Sequence, residues 1–222
     1  KGHAVFPYLS IYILLQKYKI YIILLSFILF FLVILPQISE FTMVKRVQLH
    51  DKTFELSIPQ EELHENIRKV AALINKDYEG KHPLILGMLN GAFMFCADLV
   101  RELTVPCEIN FVKYSSYSGT QSTGKVSEVL GLTMDVSGRD IIVVEDIVET
   151  GCTLSSLKER LKEMNVASTS ICSMFFKPSC LKTDLNVDYP AMVIPNDFIV
   201  GYGLDYNEAG RELKDIYTLV SE

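Results

Sequence analysis

The segment of residues 141–154 constrains the fold of this chain more than any other, because it joins a buried strand, acidic side chains and a small-residue turn. Its first four residues are β-branched and do not alternate with polar residues. This pattern predicts a strand covered on both faces in a parallel sheet. Glu145 and Asp146 follow, and open α/β sheets bind ligands at the carboxyl ends of their strands. The segment therefore predicts a fold class and one edge of a site.

The turn that follows has the composition of an anion-binding site. Thr150, Gly151, Cys152 and Thr153, which we call the phosphate turn, lead into a predicted helix at 154–164. Backbone N–H groups at a helix start, with two hydroxyls beside them, suit a phosphate group. Carboxylates repel phosphate, but they accept hydrogen bonds from sugar hydroxyls or bind Mg²⁺. A ribose that bears a 5-phosphate satisfies both halves of the segment.

The rest of the chain beyond residue 42 alternates strand and helix patterns, which predicts a mostly parallel, doubly wound sheet. Ser57 is predicted to cap a helix that has Pro59 in its first turn. The polar stretch 115–125 is predicted to be a loop that can serve as a lid. The predicted strands lie at 83–87, 107–113, 129–133, 141–144, 168–176, 191–194 and 198–201, with a helix at 92–103.

Four segments, at 86–95, at 114–124, at 141–154 and at 198–211 together with Lys177, follow one another in the order of a known family. They resemble the hypoxanthine-guanine phosphoribosyltransferases, a branch of the type I phosphoribosyltransferases, and the resemblance runs over residues 44–221. It implies a mostly parallel twisted sheet flanked by helices, with a small hood subdomain. It also implies purine salvage, in which phosphoribosyl pyrophosphate and hypoxanthine or guanine give IMP or GMP and pyrophosphate. By the same resemblance the enzyme is a homodimer or homotetramer.

The resemblance assigns the phosphorylated sugar to particular residues. The phosphate turn would hold the 5-phosphate, and Glu145 and Asp146 would bind the ribose hydroxyls directly or through Mg²⁺. Asn90 and Gly91 correspond to a loop that contacts pyrophosphate, and the family often has Lys where Asn90 stands. Arg211 would hold the departing pyrophosphate, for which a guanidinium is well shaped.

The purine is assigned to a second group of residues. Lys177 would donate a hydrogen bond to the exocyclic oxygen of the purine and so select 6-oxopurines over adenine. Phe198 would stack on the purine, and Ile199 would offer backbone contacts. Structural roles remain open at this stage, because Lys177 could be a surface lysine at a strand end and Phe198 could belong to the core.

Catalysis and metal binding are assigned to a third group. Glu149 stands where the family usually has Asp, the residue associated with the proton on purine N7, and its arm is one methylene longer. Ser116 and Tyr117 would cover the reacting centre. Asp205, Glu145 and Asp146 would bind Mg²⁺, the one expected cofactor.

Residues 1–42 differ from the rest of the chain. The run 20–35 is apolar apart from Ser26, and Lys17 and Lys19 precede it, which is the pattern of a membrane segment slightly shorter than usual. The composition of this region is also typical of translated AT-rich DNA. We therefore expect Met43 to be the true start, so that 1–42 is an extension and 43–222 is the phosphoribosyltransferase domain. A membrane anchor is the alternative.

Charge and cysteine content narrow the class of protein further. The net charge is −6, and because residues 1–42 carry +2, residues 43–222 carry −8. This acidity argues against a nucleic-acid partner. The five cysteines form no metal-binding or C-x-x-C spacing, which favours reduced thiols and a cytoplasmic protein. A related enzyme with xanthine-guanine preference and a non-catalytic sensor of phosphoribosyl pyrophosphate remain the competing functions.

Overall fold

A computed structural model describes residues 6–30, 45–116 and 126–220, and it divides the chain into two compact units, residues 1–45 and 46–222. The described part of the first unit contains one helix, α1, at Phe6–Leu29. Lys17 and Lys19 lie in the middle of this helix. Within the described ranges, no helix is both long enough and apolar enough to cross a membrane. Met43 lies outside the described residues, so its role as the start stays a prediction.

The second unit contains ten strands and three α-helices in its described part. In chain order these are β1 Arg46–Leu49, β2 Lys52–Ile58, α2 Gln60–Asp77, β3 Leu84–Leu89, α3 Phe93–Glu102, β4 Glu108–Ser116, β5 Val126–Leu130, β6 Asp140–Val148, α4 Cys152–Glu163, β7 Ser168–Phe176, β8 Tyr189–Val193, β9 Ile199–Val200 and β10 Ile216–Leu219.

The main sheet has the strand order β5-β4-β3-β6-β7-β8. Five of its strands are parallel, and β5 pairs antiparallel with β4 at one edge. The predicted β-branched block at the start of β6 is buried throughout, because β6 lies between β3 and β7 and is covered on both faces. The three α-helices of the second unit pack against this sheet, and the predicted parallel α/β class is confirmed.

Helix α2 shows how the sequence periodicity becomes packing. Its buried residues repeat every three or four positions and form one stripe: Leu63, Ile67, Val70, Ala71 and Ile74. This stripe joins the core cluster that also contains the central strands. Full burial of a large aliphatic side chain contributes about 1.5–3 kcal/mol, so the stripe fixes the helix on the sheet.

A second, antiparallel sheet forms the hood subdomain, with strand order β1-β2-β10-β9. It pairs the two ends of the second unit, since Ile58 in β2 lies opposite Ile216 in β10. A small separate core of Phe54, Val200 and Tyr217 supports it. Strands β1, β2 and β10 were not among the predicted strands.

The predicted start of helix α2 is wrong. Ser57 lies in strand β2 and its hydroxyl donates to the Ile216 carbonyl at 3.2 Å, so it caps nothing. The residue at the N-cap position is Pro59, which makes no side-chain capping bond. The Gln60 N–H at the helix start donates instead to Asp215 Oδ1 at 3.0 Å. The cap therefore comes from the other end of the unit, where local sequence patterns cannot find it.

Three predicted boundaries also shift. The strand expected at 129–133 lies at Val126–Leu130, because pairing with β4 sets its position. Ser115 and Ser116, predicted to open the loop at 115–125, belong to β4, and residues 117–125 of that prediction lie outside the described part of the chain. Strand β6 runs to Val148, four residues beyond its predicted end.

Candidate active site

The two carboxylates of β6 lie at the crevice where the strand approaches its carboxyl end. Glu145 and Asp146 each keep part of their surface exposed, but protein atoms surround both on most sides. The Asp146 N–H donates to Glu145 Oε1 at 3.2 Å, and the Ile147 N–H donates to Asp146 Oδ1 at 2.8 Å. Both side chains are therefore held by the backbone of their own strand.

Burial raises the pKa of both carboxyls. For Glu145, burial and then the adjacent charge of Asp146 raise the pKa well above its ordinary value. Burial also raises the pKa of Asp146, although the hydrogen bond from Glu145 and the charge of Arg211 act in the opposite direction. The pair therefore holds a proton on Glu145 more readily than on Asp146. Such a pair favours a cation or a hydroxyl donor as its ligand.

The phosphate turn follows this strand and has the expected backbone geometry. Gly151 has φ 75°, a left-handed conformation that favours glycine, and it stands at the N-cap position of α4. A side chain there would also meet Thr183 Oγ1 at 2.6 Å. Thr150 Oγ1 accepts from the Cys152 N–H at 3.4 Å.

A cavity of about 180 Å³ opens on this turn. It is lined by residues of β6, the phosphate turn and the first turn of α4: Glu145, Ile147, Val148, Glu149, Thr150, Gly151, Thr153 and Leu154. The Glu145 carboxylate, the threonine hydroxyls and the helix start predicted to bind one ligand therefore surround one cavity, whereas Asp146 is not among its lining residues. The Cys152 side chain is exposed and does not line it.

Lys177 is buried, at only 3% exposure, and this excludes the surface-lysine interpretation. Its ammonium donates to Glu149 Oε1 at 2.6 Å and to the Asp197 carbonyl at 2.7 Å. Its own N–H donates to the Val148 carbonyl at 2.9 Å, which ties the end of β7 to the end of β6. The structure therefore brings together two residues that the sequence separates by 28 positions.

Phe198 and Ile199 lie at the entrance to the hood sheet. The Phe198 side chain is 45% exposed, so it is not a core residue, whereas Ile199 is buried. The Phe198 ring lies 5.9 Å from the Tyr206 ring in an edge-on arrangement, and Lys52 Nζ lies 5.7 Å from the centre of the Phe198 ring. Asp197, whose carbonyl accepts a hydrogen bond from Lys177, directly precedes Phe198. The exposed Phe198 ring therefore lies near the buried Lys177.

Arg211 belongs to the same crevice but is paired with acids of its own segment. Its guanidinium lies 2.7 Å from Asp205 Oδ1 and 3.5 Å from Glu208 Oε2, and it donates to the Gly203 carbonyl at 2.9 Å. The Asp205 carboxylate also accepts from the Glu208 N–H at 2.8 Å. Asp205 therefore supports Arg211 in this arrangement, and its role as a metal ligand stays a prediction.

Glycines bring the pyrophosphate loop against these groups. A side chain at Gly91 would collide with the Asp146 carboxylate, and one at Gly203 would collide with the Gly91 carbonyl. Gly203 also has φ 98°. Asn90 is exposed beside Gly91, and the peptide bond between Leu89 and Asn90 is cis. The loop therefore lies directly between Asp146 and the Arg211 segment.

Two of the predicted catalytic residues, Ser116 and Tyr117, have side chains outside the described part of the structure. Ser116 ends strand β4, and its side chain is outside the described atoms, as is the whole of Tyr117. The sequence reasoning missed Asp197, which positions Lys177, and Gly203, which contacts Gly91. The Gly-Tyr-Gly sequence at 201–203 was the available signal for the second of these.

Comparison with known proteins identifies the class. The family described as the phosphoribosyl transferase domain matches residues 59–207. The hypoxanthine-guanine phosphoribosyltransferase of Streptococcus pneumoniae is 39% identical over 166 residues, which cover 74% of this chain and 92% of the relative.

Solved structures agree. A Staphylococcus aureus hypoxanthine phosphoribosyltransferase has a TM-score of 0.72 at 38% identity and covers 75% of this chain and 91% of its own. A Bacillus anthracis hypoxanthine-guanine phosphoribosyltransferase has a TM-score of 0.71 at 36% identity, with 74% and 98% covered. The chain therefore belongs to the phosphoribosyltransferase family, in its hypoxanthine-guanine branch.

Proposed function

We propose that this protein transfers the 5-phosphoribosyl group from phosphoribosyl pyrophosphate to hypoxanthine or guanine. A purine nitrogen attacks C1 of the sugar, and the bond from C1 to the pyrophosphate oxygen breaks. The electron pair leaves with pyrophosphate, and Glu149 accepts the proton that the purine ring loses. The observation that carries the proposal is the buried Lys177 ammonium beside Glu149, next to the phosphate turn.

Lys177 supplies the base selectivity. An ammonium has three N–H donors, and Glu149 and the Asp197 carbonyl use two of them among the described residues. The third is available to the exocyclic oxygen of a 6-oxopurine. Adenine carries an amino group there and would leave the third N–H of the buried ammonium without an acceptor, which costs about 1–3 kcal/mol. The exposed Phe198 ring offers a surface on which the purine can stack.

The sugar and its phosphates occupy the remaining groups. The phosphate turn holds the 5-phosphate at the start of α4, and Glu145 and Asp146 accept hydrogen bonds from the ribose hydroxyls. Arg211 binds the departing pyrophosphate, whose oxygens replace part of the ion pair between Arg211 and Asp205. Ser116 and Tyr117 exclude water from the reacting centre.

The carboxylates of the crevice fit Mg²⁺. Their pKa values are raised, so a bound cation would offset the repulsion between two buried charges. Among the described residues there is no cluster of three or more acidic, cysteine or histidine side chains that could hold a metal. Mg²⁺ uses one or two carboxylates together with substrate oxygens, and Glu145 and Asp146 supply two carboxylates. When bound, Mg²⁺ would neutralise charge on the leaving pyrophosphate.

The assembly and the compartment are inferred more indirectly. We infer a homodimer or homotetramer from the family. The acidic residues 43–222 support a small-molecule enzyme without a nucleic-acid partner. The five free cysteines support a cytoplasmic location.

Nucleotide formation from phosphoribosyl pyrophosphate with hypoxanthine, guanine, xanthine and adenine in parallel tests the proposal. The full chain and a chain that begins at Met43 should both convert hypoxanthine or guanine and leave adenine unused. Efficient use of xanthine would move the protein to the xanthine-guanine preference. Failure with all four bases would overturn the enzyme assignment and favour a non-catalytic sensor.

A further inference from the structure

The crevice contains a third cation that neither the phosphate turn nor the hood provides. Lys113 lies on β4, beside Leu89 of β3 in the parallel register. Its ammonium donates to Asn90 Oδ1 at 3.2 Å. Asn90 precedes Gly91, whose backbone lies against the Asp146 carboxylate. Because β3 lies between β4 and β6 in the sheet, Lys113 and Asp146 lie on opposite sides of the strand that leads into the pyrophosphate loop.

Lys113 differs from Arg211 and Lys177 in the charge of its described partner. Arg211 contacts the Asp205 carboxylate at 2.7 Å, and the Lys177 ammonium contacts Glu149 at 2.6 Å. In residues 45–114 and 131–220, where the side chains are described, no carboxylate lies within salt-bridge distance of the Lys113 ammonium. Its hydrogen-bond partner there, the Asn90 side chain, is neutral. The described partner of the Lys113 ammonium is therefore a neutral amide, which leaves the ammonium available to an anionic ligand.

We propose that Lys113 is a pyrophosphate-binding residue and that Asn90 positions it. The amide oxygen of Asn90 holds the flexible lysine arm beside the loop, and a negatively charged ligand there gains a charge-assisted hydrogen bond. The neutral amide anchors the ammonium without cancelling its charge, which a carboxylate would do. The site therefore holds the leaving group between Lys113 on the strand side and Arg211 on the hood side. This inference rests on the proposed function, because it names a further contact of the same substrate.

Calorimetric titration with inorganic pyrophosphate and Mg²⁺ tests the proposal without the need for turnover. Lys113→Met keeps the length and apolar stem of the side chain and removes the charge. It should weaken pyrophosphate binding by about tenfold to a hundredfold, the range expected for a hydrogen bond to a charged group. Lys113→Arg should restore most of the affinity. The matched control is Lys76→Met, which removes an equal charge from an exposed position of α2.

A second pair of variants tests the positioning role of Asn90. Asn90→Ala should weaken pyrophosphate binding less than Lys113→Met and raise KM for phosphoribosyl pyrophosphate more than it lowers kcat. In the double variant Asn90→Lys with Lys113→Met the charge returns from the neighbouring position, and pyrophosphate affinity should recover. A purely structural role for this hydrogen bond would lower the unfolding temperature without this recovery.

The outcomes separate this proposal from the assignment of the reaction. Pyrophosphate affinity in Lys113→Met equal to that of Lys76→Met, with an unchanged unfolding temperature, would overturn the role of Lys113 even in an active enzyme. Conversely, a wild-type protein that forms no nucleotide but binds pyrophosphate through Lys113 would overturn the proposed reaction and leave the binding site intact.

Discussion

The crevice has two sides that the chain builds in different ways. The sheet side, made by residues 145–153 and Lys177, comes from the neighbouring strands β6 and β7 inside the large core. The hood side, which includes Phe198 and Arg211, depends on the pairing of β2 with β10, which joins the two ends of the unit. Its own core has only three fully buried residues, so less apolar burial stabilises it. The sheet side of the site is therefore formed by neighbouring strands, whereas the hood side is formed by long-range strand pairing.

The largest expected effects come from removing one charged group on each side. Asp146→Asn on the sheet side and Arg211→Ala on the hood side should each lower kcat/KM by about a hundredfold or more, as is typical when an electrostatic contact to the reacting groups is lost. Only Arg211→Ala should also lower the unfolding temperature, because it removes bonds to Asp205 and Gly203. Steady-state kinetics beside thermal unfolding measures both effects, and near-normal turnover in either variant would contradict its assigned role.

The next effect concerns stability on the hood side. Asp215→Ala removes the acceptor for the Gln60 N–H at the start of α2, and loss of a helix cap costs about 1 kcal/mol. Urea unfolding should show this loss, while Glu212→Ala, a change at a nearby exposed acid, should leave stability unchanged. Equal stability of the two variants would show that this long-range cap contributes nothing.

The pH dependence of stability tests the sheet side. Burial raises the pKa of Glu145 from 4.5, so between 4.5 and the raised value the folded state binds more protons than the unfolded state. Its contribution to stability is therefore complete below about pH 4.5 and is lost as the pH rises through the raised pKa. Glu145→Gln lacks this titration, so its stability relative to the wild type should increase with pH. Urea unfolding at several pH values measures this difference, and a constant difference would contradict the raised pKa.

Mg²⁺ should oppose that trend in the wild type. Metal binding requires ionised carboxylates, so the stabilisation by added Mg²⁺ should grow as the pH rises. Glu145→Gln should gain less from Mg²⁺ at every pH. A gain in the wild type that is independent of pH would place the metal elsewhere.

The smallest effect is chemical labelling of thiols. Cys152 in the phosphate turn is exposed, whereas burial raises the pKa of Cys96 to about 12 and makes that thiol unreactive. Alkylation followed by mass spectrometry should modify Cys152 and spare Cys96. Ribose 5-phosphate should protect Cys152 but not Cys180, which lies outside the turn and is half-buried. Equal labelling of Cys152 with and without the ligand would argue against phosphate binding there.

Several elements were predictable because their signals are local. The β-branched start of β6, the stripe of α2 and the glycine at the start of α4 each follow from a few neighbouring residues. The predicted cap at Ser57 was wrong because Ser57 belongs to a strand that only its pairing with β10 reveals. The hood strands were not predicted, and β5 was predicted at shifted bounds, because long-range strand pairing sets where these strands begin and end.

The parallel sheet and the glycine turn at the start of α4 follow from the sequence alone, because hydrophobic periodicity and turn chemistry act over short distances. The contacts between the site residues depend on the tertiary structure. It placed the Lys177 ammonium 2.6 Å from Glu149, moved the cap of α2 to Asp215, and set the Lys113 ammonium beside Asn90. Those distances, like the raised pKa values of the β6 carboxyls, depend on strands that are far apart in the chain and adjacent in the sheet.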